Sequence, residues 1–330
     1  MQELRLGTRG SQLALWQARA VASRISAAGG PLCRIIVIKT SGDRIEDAPL
    51  SEAGGKRLFV KEIEEALLGH DIDLAVHSSK DMPAVLPDGL VIGGVLPRED
   101  PLDAVVLPLS RSRLFETVDE LASELRSAPT FGTGSVRRIA QLARLFPHAS
   151  FAPIRGNLNT RLAKLDAGDP GDYDALVLAA AGLRRLGLAT RVSMTLPVGA
   201  CVPAPGQGIV AIEVREDDEP MRRILRGIDD PATSAALTAE RSLVAALGGG
   251  CQTPVGALAM PTDAQHIELV ATVAALDGTR IVRASGSGST REAAELGIRV
   301  ASALVAQGAD DILASALGVQ GMRSGPPPRH

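Results

Sequence analysis

Lysine is scarce in this chain: of 35 lysines and arginines, only Lys39, Lys56, Lys61, Lys80 and Lys164 are lysine, leaving 30 arginines. A GC-rich coding sequence explains most surface positions, but arginine also carries a planar fork that holds a carboxylate through two parallel hydrogen bonds, which lysine lacks. Aromatic residues make up 2% of the chain, too few to offer stacking platforms for bases, and a net charge of -3 opposes general polyanion binding. Nucleic acid is therefore not an expected partner. Nothing approaches the roughly 18 uninterrupted apolar residues of a membrane span. Charges at Glu3, Arg5 and Arg9 precede any apolar stretch, so neither a signal peptide nor a membrane partner is expected. The cysteines, Cys33, Cys201 and Cys251, are odd in number and form no CxxC pair. That pattern argues against a zinc knuckle or redox couple and fits a reducing, cytoplasmic setting.

With 330 residues and 45% apolar composition, the chain can bury more than one core. From Leu4 to Leu186 short β-branched runs alternate with helical spacing, the pattern of α/β lobes with largely parallel sheets. Residues 40–57 have no period and read as a long mobile loop. Ile209 to Val214 reads as a strand returning to the first sheet. From Pro231 the order becomes helix, strands, helix, a small α+β domain. The expected division is 1–98 with 209–227, then 103–203, then 231–320, and a disordered tail at 321–330 without apolar anchors.

Small residues and charge coincide at four strand ends: Thr8-Arg9-Gly10-Ser11, His77-Ser78-Ser79-Lys80-Asp81, Thr133-Gly134-Ser135-Val136-Arg137-Arg138 and Arg155-Gly156-Asn157. In open α/β sheets ligands bind beyond the carboxyl ends of strands, where helix N-termini present N–H groups to anions. Each turn also has a purely structural reading. Ser11 and Ser135 can simply cap helices, Asp81 before Met82-Pro83 is equally a turn former, and His77 fits a structural histidine better than a ligand. Adjacent arginines in a first helical turn oppose the macrodipole, so Arg137 and Arg138 call for an anion nearby. Cys33 reads as a small core residue and Cys201 is ambiguous. Cys251, after Gly248-Gly249-Gly250, suits an exposed nucleophile or attachment point as well as an idle thiol behind a glycine C-cap.

Ten segments in this order, GTRGSQLALWQA, GGKRLFVKEIE, DLAVHSSKDMP, PREDPLDA, FGTGSVRR, RGNLNTRLAKLD, AAAGLRRLGL, PAPGQGIVAIE, AERSL and GGGCQTPVGA, resemble the porphobilinogen deaminases over residues 4–317. The resemblance implies two α/β domains like those of type II periplasmic binding proteins, plus a small α+β C-terminal domain that carries a cofactor cysteine. It implies a dipyrromethane cofactor joined by a thioether to Cys251. On it, four porphobilinogen molecules would condense head to tail, each losing ammonia, before water releases hydroxymethylbilane.

By the same resemblance Asp81 matches the catalytic carboxylate. Arg9, Ser11, Lys80, Thr133, Ser135, Arg137, Arg138, Arg155, Gly156, Arg161 and Arg185 match positions that bind cofactor and substrate carboxylates. Lys56 and Phe59 match the end of a closing loop, and Gln207 the hinge. A monomer is implied, with its product passed to uroporphyrinogen III synthase and no metal. Departures are few: Gln12 replaces a common proline, Gly134 a common serine, and 168–172 are slightly extended. The rival readings are a non-catalytic solute-binding module, which leaves Cys251 unexplained, and a nucleotide-binding dehydrogenase, whose GxGxxG motif fails at its third glycine.

Overall fold

The computed structural model describes residues 3–44, 59–168, 173–248 and 253–323. The first lobe opens with β1 (Leu4–Thr8), α1 (Gln12–Ala27), β2 (Cys33–Val37), the short α2 (Ser41–Arg44), α3 (Lys61–Leu68), β3 (Leu74–Ser78) and β4 (Leu90–Val95). The second contains β5 (Asp103–Val106), α4 (Val118–Glu124), β6 (Thr130–Gly132), α5 (Val136–Leu145), β7 (Ser150–Ala152), α6 (Leu158–Ala167), β8 (Ala175–Ala179), α7 (Ala180–Arg185) and β9 (Met194–Thr195). The chain then returns through β10 (Val210–Arg215) and α8 (Glu219–Arg226).

The first sheet has the order β2-β1-β3-β10-β4 and the second β7-β6-β8-β5-β9. The two patterns are the same, because in each the strand next to the edge is supplied by a crossing between lobes: β5 on the way out, β10 on the way back. A strand arriving from the other lobe enters from the opposite end. This is why β10 runs antiparallel to β3 and β4, and β5 antiparallel to β8 and β9, while β1, β2 and β3 are parallel. The sheets are thus largely parallel, as expected, each with one strand running against the other four; the return of β10 to the first sheet is also as expected.

A third unit follows: α9 (Pro231–Ala246), the antiparallel sheet β11 (Val255–Pro261), β12 (His266–Ala274) and β13 (Ile281–Ser289), then α10 (Ala293–Val305) and α11 (Ala309–Arg323). Asp230 starts α9 as its N-cap, accepting from the Thr233 amide at 2.8 Å, with Pro231 in the first turn. The unit has its own core, in which α9 and α10 cover the sheet through residues such as Leu243, Leu269, Leu296 and Leu304. Leu237 of α9 is buried instead with Met82, Val95, Ile209 and Ala211, tying this unit to the first lobe. The expected tail at 321–330 is corrected at its start, since residues 321–323 end α11; residues 324–330 lie outside the described residues, as do 45–58 of the expected loop.

Strand β4 and helix α8 escape sequence reading for one reason. Gly93 and Gly94 spoil the β signal of LVIGGV, yet a Cβ on Gly93 would stand 2.7 Å from Leu225 Cδ1 and from Val214 Cγ2. Glycine there lets α8 lie directly on the sheet.

Candidate active site

Strands β1, β3 and β6 end in the small-residue turns found in the sequence, and these turns meet across the cleft between the lobes. Asn159 Nδ2 of α6 donates to Gln12 Oε1 of α1 at 2.7 Å. The Arg185 guanidinium of α7 stands 5.5 Å from the Trp16 ring of α1, near enough for cation–π attraction. The lobes are joined where the charge lies.

Ser11 caps α1, accepting from the Ala14 amide at 3.2 Å. Ser135 occupies the same place before α5, but its hydroxyl makes no cap bond; its amide donates instead to Thr133 Oγ1 at 3.2 Å. The capping explanation thus accounts for Ser11 and not for the Ser135 hydroxyl.

Arg137 and Arg138 have the anion that their position demands, and it is Asp103 at the start of β5. Arg137 Nη1 and Nη2 lie 2.7 and 3.1 Å from the two Asp103 oxygens, and Arg138 Nε lies 2.8 Å from Oδ1. Arg137 Nη1 also donates to Val202 O and Arg138 Nη1 to Val177 O, each at 2.7 Å. Asp103 is fully buried, and both arginines are nearly so. Burial pushes the Asp103 carboxyl up, but the two guanidinium groups outweigh it and hold the group well below the usual carboxylate range. The Arg137 fork is thus engaged with Asp103 inside the second lobe.

Cys201 belongs to the same cluster. Its Sγ lies 3.4 Å from Arg137 Nη1 and from Asp103 Oδ2, and burial together with the Asp103 charge pushes the thiol up to about 12. A thiol held protonated is a poor nucleophile. Cys33 sits half-buried on edge strand β2 against the first-lobe core. Burial raises its pKa as well.

The first-lobe turn is different. Strand β3 runs into one turn of 3-10 helix, Ser79–Asp81, which leaves Lys80 and Asp81 partly buried at the cleft. Burial, followed by repulsion from Arg138, lowers the Lys80 ammonium to about 7. The Asp81 carboxylate has no hydrogen bond among the described residues, and both Lys80 and Arg161 feel its charge. Burial lowers the Arg161 guanidinium as well, with Arg138 and Arg155 adding repulsion and Asp81 opposing them. Arg161 Nε donates to the carbonyl of Gly156 at 2.9 Å, and Gly156 itself takes a left-handed φ of 105°. Arg185 Nη2 donates to Gly208 O at 2.7 Å, and burial lowers it to about 10.

Arg9 reaches back to Asp43 of α2, with Nε 3.1 Å from Oδ1, and lies 4.3 Å over the Phe59 ring. Burial pushes Asp43 up, but hydrogen bonds from Arg9 and Thr40 hold it below its usual value. Phe59 therefore sits at the mouth of the cleft, against Gly42. Lys56 and Cys251 lie outside the described residues. His77 is buried between β3 and β10, its Nε2 3.1 Å from Glu213 Oε2, which suits the structural reading.

Gln207 closes the set. Fully buried in the returning turn, it accepts from Lys80 Nζ at 3.3 Å and donates to Asp103 Oδ1 at 3.0 Å. Only glycine fits on either side of it: Gly206 and Gly208 take φ of 72° and 86°, and a Cβ would meet Ser79 Oγ or the Glu99 carbonyl. Arg98 and Glu240 anchor this turn to α9, with Arg98 Nη1 2.6 Å from Glu240 Oε1 and the Gly206 amide 2.6 Å from Glu240 Oε2. Sequence reading missed Asp103, Asp43 and Glu240. Only Asp103 left a signal, as the anion required by the paired arginines.

Two family models match the chain in order. Residues 4–223 match the dipyromethane cofactor binding domain of porphobilinogen deaminase, and residues 234–306 its C-terminal domain. Porphobilinogen deaminase of Moorella thermoacetica is 44% identical over 314 residues, covering 95% of this chain and 96% of the relative. That of Desulforudis audaxviator is 47% identical over 314 residues, covering 95% and 97%. Solved structures that align include an ancestral cationic amino acid solute binding protein, at TM-score 0.40 and 13% identity, covering 68% of this chain and 88% of that one. The periplasmic aliphatic sulphonate binding protein of Escherichia coli gives TM-score 0.40 and 13% identity, covering 74% and 70%; at such scores the likeness carries no functional argument. With both family models matched and curated relatives aligned along nearly its whole length, the chain belongs to the porphobilinogen deaminase family.

Proposed function

We propose that the chain is a transferase that condenses four porphobilinogen molecules head to tail into linear hydroxymethylbilane, working on a dipyrromethane held by a thioether at Cys251. Family membership supports the reaction. The observation that carries the site is the state of Asp81: a partly buried carboxylate without a hydrogen bond among the described residues, facing cations that crowd one another.

The donor set fits the cofactor. Each pyrrole ring brings an acetate and a propionate, and the depressed values of Lys80 and Arg161 are what cations show when burial and repulsion exceed the negative charge the protein supplies. Ligand carboxylates would relieve that excess. On this reading Arg9 and Ser11 hold acidic groups from the first lobe, as do Thr133, Ser135, Arg155, Gly156, Arg161 and Arg185 from the second, and Lys80 does so beside the reacting centre. Arg137 and Arg138 serve through Asp103 as the frame that fixes α5. Lys56 and Phe59 belong to a loop that closes the mouth, and Gln207 to the hinge.

When bound, the dipyrromethane supplies the carbon nucleophile to which the first substrate is joined. In each condensation a carbon–carbon bond forms, a carbon–nitrogen bond breaks, ammonia leaves, and the attacked pyrrole carbon gives up a proton. Asp81 accepts from pyrrole N–H groups and stabilises the cation left as ammonia departs. Lys80 and Arg161 face its charge, and partial exclusion of water strengthens its field. Cys251 is favoured as the attachment point because the thiol of Cys201 is buried and held protonated and that of Cys33 lies on the far edge strand β2. A cytoplasmic monomer that hands its product to uroporphyrinogen III synthase accords with free thiols at Cys33 and Cys201. Among the described residues no helix is long and apolar enough to cross a membrane.

The test is direct. The purified protein should colour with Ehrlich's reagent as a dipyrromethane and should release one ammonia for each porphobilinogen consumed. A colourless, folded protein that binds porphobilinogen and returns it unchanged would favour the solute-binding reading.

A further inference from the structure

The amide of Gln207 is engaged at both ends. Nε2 donates to Pro101 O at 2.7 Å and to Asp103 Oδ1 at 3.0 Å. Both partners are acceptors, which orients the amide with its oxygen facing the donors Lys80 Nζ at 3.3 Å and Arg138 Nη2 at 3.5 Å. Asp103 in turn carries Arg137 and Arg138. An unbroken line of hydrogen bonds therefore runs from the arginine pair of α5, through Asp103 and Gln207, to Lys80 of the opposite lobe, the residue next to Asp81.

We propose that Gln207 is a positioning residue: its amide, oriented by Asp103 and Pro101, holds the Lys80 ammonium beside Asp81 and sets its separation from Arg138 across the hinge. The inference rests on Lys80 and Asp81 belonging to the reacting site. Lys80 and Arg138 are like charges, and a buried neutral acceptor between them offsets their repulsion without neutralising either. Both contacts are longer than the roughly 2.7–2.9 Å of a full charge-assisted bond. A ligand carboxylate, the stronger acceptor, therefore draws Lys80 forward while Asp103 and Pro101 keep the amide in place.

Among the described residues, the groups that bear on Lys80 include Asp81 in its own turn, Arg137 and Arg138 from α5, Asp103 from β5 and Gln207 from the hinge. With the ammonium lowered to about 7, loss of one acceptor lowers it further. Binding of acidic groups at Lys80 then fails at a lower pH.

The test uses the scarcity of lysine. With five lysines in the chain, 15N-lysine NMR of the purified protein isolates Lys80, assigned by the signal that Lys80→Arg removes. In Gln207→Leu, and in the unbranched Gln207→Met should the leucine variant not fold, the Lys80 titration midpoint should fall by about one pH unit. The alkaline limb of kcat/KM for porphobilinogen should move down with it, giving a loss of about tenfold at pH 8. In the wild type the Lys80 ammonium should exchange its protons more slowly than that of Lys61, which is 63% exposed. Equal exchange at Lys80 and Lys61 would overturn the proposal. So would an unmoved Lys80 midpoint in the variants, or a loss of activity equal at every pH. A wild type that does not consume porphobilinogen while the Lys80 midpoint still shifts would leave the relay standing and remove the assigned reaction.

Discussion

In the second lobe the turn after β6 sends two arginines inward, where Asp103 takes both. In the first lobe the turn after β3 brings Lys80 and Asp81 to the cleft, both partly buried, with Lys80 Nζ 3.3 Å from Gln207 Oε1. The sheets share one strand order, in which β6 takes the place of β1 and β3 the place of β8, so the two turns stand side by side in that order and are not counterparts. What differs is where the charge is set: Asp103 pairs with Arg137 and Arg138 inside the second lobe and fixes the frame, whereas Lys80 and Asp81 stand at the cleft.

The comparison breaks most visibly at Asp81. Asp81→Asn keeps the shape and removes the charge, so turnover should fall by about 10²- to 10³-fold while thermal stability stays near that of the wild type. Steady-state kinetics and a melting curve read the two effects separately, and unchanged turnover at saturating porphobilinogen would end the assignment. The mirror-image substitution is Asp103→Asn, which strands two buried guanidinium groups. Denaturant unfolding should show a loss of about 3–5 kcal/mol; a loss below about 1 kcal/mol would mean that the second lobe does not depend on its internal pairing.

A smaller effect separates arginines within the second lobe. Arg161→Leu should raise KM by about tenfold, as expected when a hydrogen bond to a charged group is lost, with little change in unfolding free energy. Arg137→Leu should do the reverse. Similar behaviour of both variants would erase the distinction between frame and ligand-facing cations.

The smallest expected effect is in pH dependence. Lys80 titrates near its ordinary 10.5 when unfolded and at about 7 when folded, so between those values the unfolded chain binds more protons and Lys80 makes stability rise with pH. Cys201 acts oppositely, since its ordinary 9.0 becomes about 12 on folding and stability falls over that interval. Lys80→Met should therefore flatten the rise between pH 7 and 9 in cofactor-free protein. A slope identical to that of the wild type would place Lys80 in a solvated position.

Much of this arrangement was legible in the sequence. The alternation of strands and helices indicated both lobes, and the run Ile209 to Val214 read as a strand returning to the first sheet. Paired arginines at the start of α5 demanded an anion. They did not reveal that it lay 34 residues away at the start of a buried strand, because tertiary pairing has no local period. Strand β4 was hidden by glycines that its packing against α8 requires, and the end of α11 by the reading of 321–330 as a tail. The inward turn of the Arg137 side chain onto Asp103 was equally hidden, since spacing along the chain does not state which way a fork points.

The central claim is that an acidic cofactor, tethered through one particular thiol, meets the cations left at the cleft. Intact-protein mass spectrometry of the wild type and of Cys33→Ser, Cys201→Ser and Cys251→Ser tests it most directly. The account predicts the dipyrromethane adduct in the wild type, Cys33→Ser and Cys201→Ser, and its complete loss in Cys251→Ser, with that variant inactive and more easily melted because it lacks a ligand that binds only the folded state. An adduct that persists in Cys251→Ser, or disappears only in Cys201→Ser, would contradict it.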